Sequence, residues 1–113
     1  MANKEIMEDV IMEELEEEQI DVINYTFDKP IHFEGEEYKK ITINLEGLTG
    51  KDIKEVSNEL LLQGEVMGIA ETNKNFLATI AARAANLPSE FMDYIPAKDF
   101  SKITIQVQNF LLG

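Results

Sequence analysis

Residues 45–53 read LEGLTGKDI, and the chain changes character inside this stretch. Upstream, YKKITINLEG (38–47) alternates apolar and polar residues with a period of two; downstream, DIKEVSNELL (52–61) places Ile53, Val56 and Leu60 at helical spacing. A strand therefore passes into a helix across a short joint. Thr49 is placed to cap the free N–H groups of a helix that starts at Gly50, and Asp52 in the first turn suits the positive end of the helix dipole. A phosphate-cradling loop needs more glycine and a Gly-Lys-Ser/Thr ending, whereas GLTGKD supplies only Gly47, Gly50 and Lys51. The joint reads as structural.

Working back from it, IHFEGEEYKKITINL (31–45) offers two strand-like runs about Glu34-Gly35-Glu36, where Gly35 takes positive φ without a side-chain clash. This is a β-hairpin, with Ile41, Ile43 and Leu45 pointing one way and Thr42 and Asn44 the other. Before it, DVINYTF (21–27) sets Ile23, Tyr25 and Phe27 on one face of a strand that DKP (28–30) is expected to interrupt.

Working forward, a second helix is expected from about Glu71 to Ala85, burying Phe76, Leu77, Ile80 and Ala84. Asn86, which tolerates the left-handed conformation, and Pro88 close it. SEFMDY (89–94) is a short turn or helix leading to Pro96. The final helix, about Ala97–Leu112, stacks Phe100, Ile103, Val107, Phe110 and Leu111 on one stripe. The order predicts an α+β fold: an N-terminal β-hairpin or small antiparallel sheet followed by a bundle of three to four helices.

The 113 residues, 44% of them hydrophobic, suffice for one domain with one modest core. Its expected span is 21–113, because the charge is unevenly placed. Residues 1–21 hold nine acidic residues against Lys4, and so carry −8 of the net charge of −12. Residues 1–20 thus form an acidic N-terminal arm, flexible or helical. Ile6, Met7, Val10, Ile11 and Leu15 could line one side of a helix, although EELEEEQ (13–19) repels itself with few basic partners. The arm is either a solvated helix or disordered segment, or an amphipathic segment that orders on a partner.

The acidity argues against nucleic acid, whose phosphates reward lysine and arginine. No apolar stretch approaches the ~20 residues of a membrane span, and MANKEIMEDV is not a signal peptide. The absence of cysteine excludes thiolate chemistry and disulfides, and fits an intracellular protein. No catalytic, metal or cofactor-binding residue is assigned. The lone histidine, His32, has no cysteine with which to build a zinc site, and Ser57, Ser89 and Ser101 fit no nucleophile-elbow pattern. The acidic run also lacks the alternating ligands and central glycine of a calcium loop.

Three apolar residues fall off the expected core stripes. At roughly 100° per helical residue, Leu62 lies about opposite Ile53, and Ile105 and Leu112 turn away from the Phe100–Val107–Leu111 stripe. Either they belong to a wide core that wraps the helices on two sides, or they contact another chain. They are the candidate partner or self-association surface; Gly35, Thr49, Gly50 and Asp52 are the candidate structural joint.

The order of these pieces resembles the tail assembly chaperones of long-tailed bacteriophages and prophages over about residues 29–112. The resemblance is carried by Pro30-Ile31, Gly35, Ile41-Thr42-Ile43-Asn44-Leu45, Leu48-Thr49-Gly50-Lys51-Asp52, Leu87-Pro88, Asp99 and Phe110-Leu111. Many relatives have glycine where this chain has Asn86, a change compatible with the turn because asparagine also accepts positive φ. The acidic arm is not part of the resemblance.

What the resemblance implies is a non-enzymatic protein without a cofactor. It would bind the aggregation-prone tape measure protein and hold it soluble until tail tube subunits polymerise around it. It also implies a homo-oligomer, contact with the tail tube protein, a place in the cytoplasm of the bacterial host and absence from the mature virion. Many relatives are made in two lengths by programmed frameshifting, and this chain would correspond to the short form. Two other classes fit the acidity: a tail-completion component retained in the virion, and a DNA mimic that inhibits a basic host protein through the arm.

Overall fold

The computed structural model describes residues 21–113; the acidic arm lies outside the described residues. Strand β1 (Val22–Phe33) pairs antiparallel with β2 (Glu36–Asn44) in a two-stranded sheet. Glu34 (φ 51°) and Gly35 (φ 81°) form the connection. Positive φ at both positions gives a turn whose twist matches the strands it joins.

One expectation is corrected here. Asp28-Lys29-Pro30 does not interrupt the first strand, because β1 continues through it to complete the hairpin. Thr26 faces Lys40 and Ile31 faces Tyr38, so Phe27–Pro30 all lie opposite Lys39. The extra residues are accommodated as an irregularity in the ladder, which is where a proline, lacking an N–H, is tolerated in a strand. Phe27, Ile31 and Phe33 remain buried on the same face as Ile41 and Ile43.

After β2, Leu45–Gly47 makes a 3-10 turn, and its first N–H donates to the Asp21 carbonyl at 2.8 Å. Helix α1 (Gly50–Leu62) follows and buries Val56 and Leu60, with Ile53 half-buried. Gln63 and Gly64 end it, and a 3-10 turn at Ala70–Thr72 precedes helix α2 (Lys74–Ala84). The second helix thus starts later than its periodicity suggests. The reason is a cap: the Asn73 side chain accepts the Phe76 N–H at 3.0 Å, and residues 70–72 turn separately. At its far end Asn86 adopts φ 59°, and the Leu87 N–H reaches back to the Ala82 carbonyl at 2.9 Å. This is the left-handed closure expected of asparagine before Leu-Pro.

SEFMDY forms a 3-10 helix (Ser89–Tyr94), and helix α3 covers Ala97–Leu112. Helix α2 is the centre of the molecule, packing against α1, α3, β2 and the 3-10 segments. Phe76, Leu77 and Ile80 fill the core from it, while Ala78, Ala81 and Ala82 present small side chains to its neighbours. Ile103 and Val107 of α3 are fully buried, whereas Phe100, Phe110, Leu111 and, on α2, Ala84 lie half-buried at the edge. Phe91 brings the 3-10 helix onto the hairpin: its ring meets Phe33 at 5.4 Å and Tyr38 at 5.0 Å between centroids, both edge-on.

Candidate functional site

At the strand-to-helix joint, Asp52 is the third residue of α1 and reaches back to accept the Thr49 N–H at 2.8 Å. The Thr49 hydroxyl lies 3.1 Å from the same carboxylate oxygen and donates to it. Thr49 and Asp52 therefore close the helix start as a capping box, with the carboxylate as its strong member. Asp52 has a second partner that helical periodicity does not reveal: Arg83, in the last turn of α2, donates from Nε at 2.8 Å and also engages Glu55. The Thr49 N–H and Arg83 hold the Asp52 carboxyl below the usual carboxylate range, and Asp52 in turn raises Arg83. The guanidinium at the joint is already committed to two carboxylates. A phosphate placed there would face both anions. Gly50 starts the helix with open space around its Cα, and Gly35 serves the hairpin turn.

Asp99, at the start of α3, is buried and accepts a hydrogen bond from the Tyr25 hydroxyl on β1. Burial first, then the hydrogen bond and charge of Asp99, push the Tyr25 phenol up to about 12. Nearby, Thr104 returns its hydroxyl to the Phe100 carbonyl at 2.9 Å, and the Gln108 amide donates to the Glu71 carbonyl at 3.1 Å. Tyr25 thus ties down the first turn of the last helix and Glu71 its C-terminal half, while the Thr104 bond stays within the helix. His32 is exposed on β1, paired with Glu37 across the ladder.

The three apolar candidates all face solvent: Leu62 is 89% exposed, Leu112 64% and Ile105 48%. Ile105 and Leu112 are seven residues apart on α3 and share one flank of it. Leu62 lies on α1, and α2 packs against both helices. Further exposed apolar side chains are Leu61, Val66, Ile69 and Tyr94. Val66 and Ile69 belong to a connector that bends at Gly64 (φ 92°) and Gly68 (φ 63°). Helical periodicity says nothing of such residues; the signal in the sequence is LLQGEVMGI (61–69), an apolar run broken by two glycines. No helix among the described residues is long and apolar enough to cross a membrane.

Family comparison gives the class of protein. The model of phage tail assembly chaperone proteins, E, or 41 or 14, matches residues 24–112, and the chain belongs to that family. Its α+β fold is the one expected. No curated protein and no solved structure matches the chain.

Proposed function

We propose that this tail assembly chaperone binds the tape measure protein and keeps it soluble until tail tube subunits assemble around it. The family match over residues 24–112 carries the reading. The exposure of Leu62, Ile105 and Leu112 supports it, since a client that aggregates through apolar helical segments needs apolar surface to cover them. The net charge of −12 opposes clumping of the loaded complex. In this proposal the chain self-associates and meets the tail tube protein during hand-over. It acts in the cytoplasm of the bacterial host and leaves before the virion is complete.

The test is co-expression with the tape measure protein of the same phage, read by the soluble fraction and by co-elution in size-exclusion chromatography. The parent chain is expected to keep the client soluble. Charge substitutions at Leu62, Ile105 and Leu112 are expected to release the client, or first to break a homo-oligomer, while circular dichroism stays at the parent level. A client that remains insoluble with the parent chain refutes the reading.

A further inference from the structure

The outer face of α3 carries a row of exposed side chains, Lys98, Lys102, Ile105, Asn109 and Leu112. Their spacing of four, three, four and three keeps all five within roughly 40° of one line along the helix, opposite the buried Ile103 and Val107. The face is divided along its length. Its N-terminal end is cationic and its C-terminal half apolar, with Ile105 and Leu112 both open to solvent. Among the described residues the ion pairs gather on Lys51, Asp52, Glu55 and Arg83, so neither Lys98 nor Lys102 has a carboxylate partner there. Asp99, the acid between them in sequence, is buried and turned to the Tyr25 hydroxyl.

The acidic arm has the complementary division in reverse order. Met7, Ile11, Glu14 and Glu18 repeat the four-three-four spacing, so a helix through them is apolar first and acidic last. Laid antiparallel on α3, such a helix sets Glu18 by Lys98, Glu14 by Lys102, Ile11 over Ile105, and Met7 beside Asn109 and Leu112. The attachment allows it. The arm joins β1 at Val22, three residues before Tyr25, whose hydroxyl is bonded to Asp99 in the first turn of α3. The chain between Glu18 and Val22 spans up to about 13 Å when extended, and the glutamate and lysine side chains add their own length.

We propose that the arm folds back on its own chain as a helix antiparallel to α3, pairing Glu14 and Glu18 with Lys102 and Lys98. So placed, it shields Ile105 and Leu112 until a client displaces it. The contact stands on charge and spacing; its meaning as a shield over client-binding surface rests on the chaperone reading.

The chain has no cysteine, so Met7→Cys with Asn109→Cys, which the register brings together, reports the contact through a short bismaleimide in dilute full-length protein. A cross-link within one chain is expected, slowed as salt rises. It should form at least tenfold faster than with Met7→Cys and Thr42→Cys, whose exposed site faces Asn24 near the root of the arm. Lys98→Glu with Lys102→Glu is expected to slow it at least fivefold with circular dichroism unchanged, and adding Glu14→Lys with Glu18→Lys to restore it. If the α3 variant fails to fold, the two arm substitutions alone, outside the packed core, are expected to give the same slowing. Equal rates at Asn109 and Thr42, a folded charge variant without effect, or no restoration overturns the proposal. So does a product of two chains, which would make the arm of a second copy the occupant. Release of the arm by Glu14→Lys and Glu18→Lys should raise Nile red emission at least twofold as Ile105 and Leu112 are uncovered; unchanged emission overturns the shielding. Co-expression separates the two readings. A parent that forms the cross-link but leaves the tape measure protein insoluble refutes the chaperone and spares the arm contact. A parent that keeps the client soluble without forming the cross-link overturns the arm contact and spares the chaperone.

Discussion

The Tyr25 hydroxyl donates to the Asp99 carboxylate, tying the first strand to the first turn of the last helix across 74 positions of sequence. The phenol is raised from 10.0 to about 12, so the folded state favours its neutral form. The stability it contributes is complete below pH 10 and is lost as pH rises towards 12. Tyrosinate absorbance should show one of the three tyrosines ionising last. Stability of the parent should fall across that window while Tyr25→Phe, less stable at neutral pH, shows a shallower fall. Parallel losses in the two chains would mean that the bond contributes nothing.

Phe91 joins the 3-10 helix to the hairpin and is fully buried among Phe27, Phe33 and Tyr38. Phe91→Ala should cost roughly 3–5 kcal/mol, the usual range for removing a buried phenylalanine ring. Urea unfolding checks it. A loss under 1 kcal/mol, on the order of a peripheral substitution, would show that the hairpin is held by other contacts.

The joint should answer to stability and not to binding. Thr49→Ala is expected to cost roughly 0.5–2 kcal/mol and to leave client binding intact at a temperature where the fold survives. Because Asp52 titrates below its ordinary 3.8, its contribution is present above that pH and fades as acid protonates it. Asp52→Asn should therefore flatten the acid limb of the stability profile. Loss of binding without loss of stability in Thr49→Ala would make the joint a contact site.

Deletion of residues 1–19 should leave a domain that unfolds cooperatively, since the packed core of the described residues extends from Ile23 to Leu111. Thermal unfolding of both forms decides it: a truncated chain that melts without cooperativity would place the arm in the core.

The fold was legible wherever its cause is local. Period-two alternation over Ile41–Leu45, the Thr49–Asp52 cap, the Asn86 closure and the limits of the last helix all depend on residues a few positions apart, and each appears in the structure. The strand through Asp28-Lys29-Pro30 was hidden because turn-forming residues also suit an irregular ladder, and only pairing with Lys39 and its neighbours decides between the two. Helix α2 starts late because a cap at Asn73 outweighs the apolar period. Tyr25–Asp99 and Arg83–Asp52, separated by 74 and 31 positions, leave no periodic trace.

Among the described residues the two-stranded sheet leaves the outer edge of each strand unpaired, and such an edge can recruit further strands. The irregular segment opposite Lys39 answers that hazard. Pro30 brings no N–H to this segment, the extra residues break the regular spacing of β1, and exposed Lys29 on β1 and Lys39 and Lys40 on β2 lie about the break. An incoming strand would find a ladder it cannot continue. The turn-like tripeptide in the middle of β1 thereby guards that edge of the hairpin against strand addition.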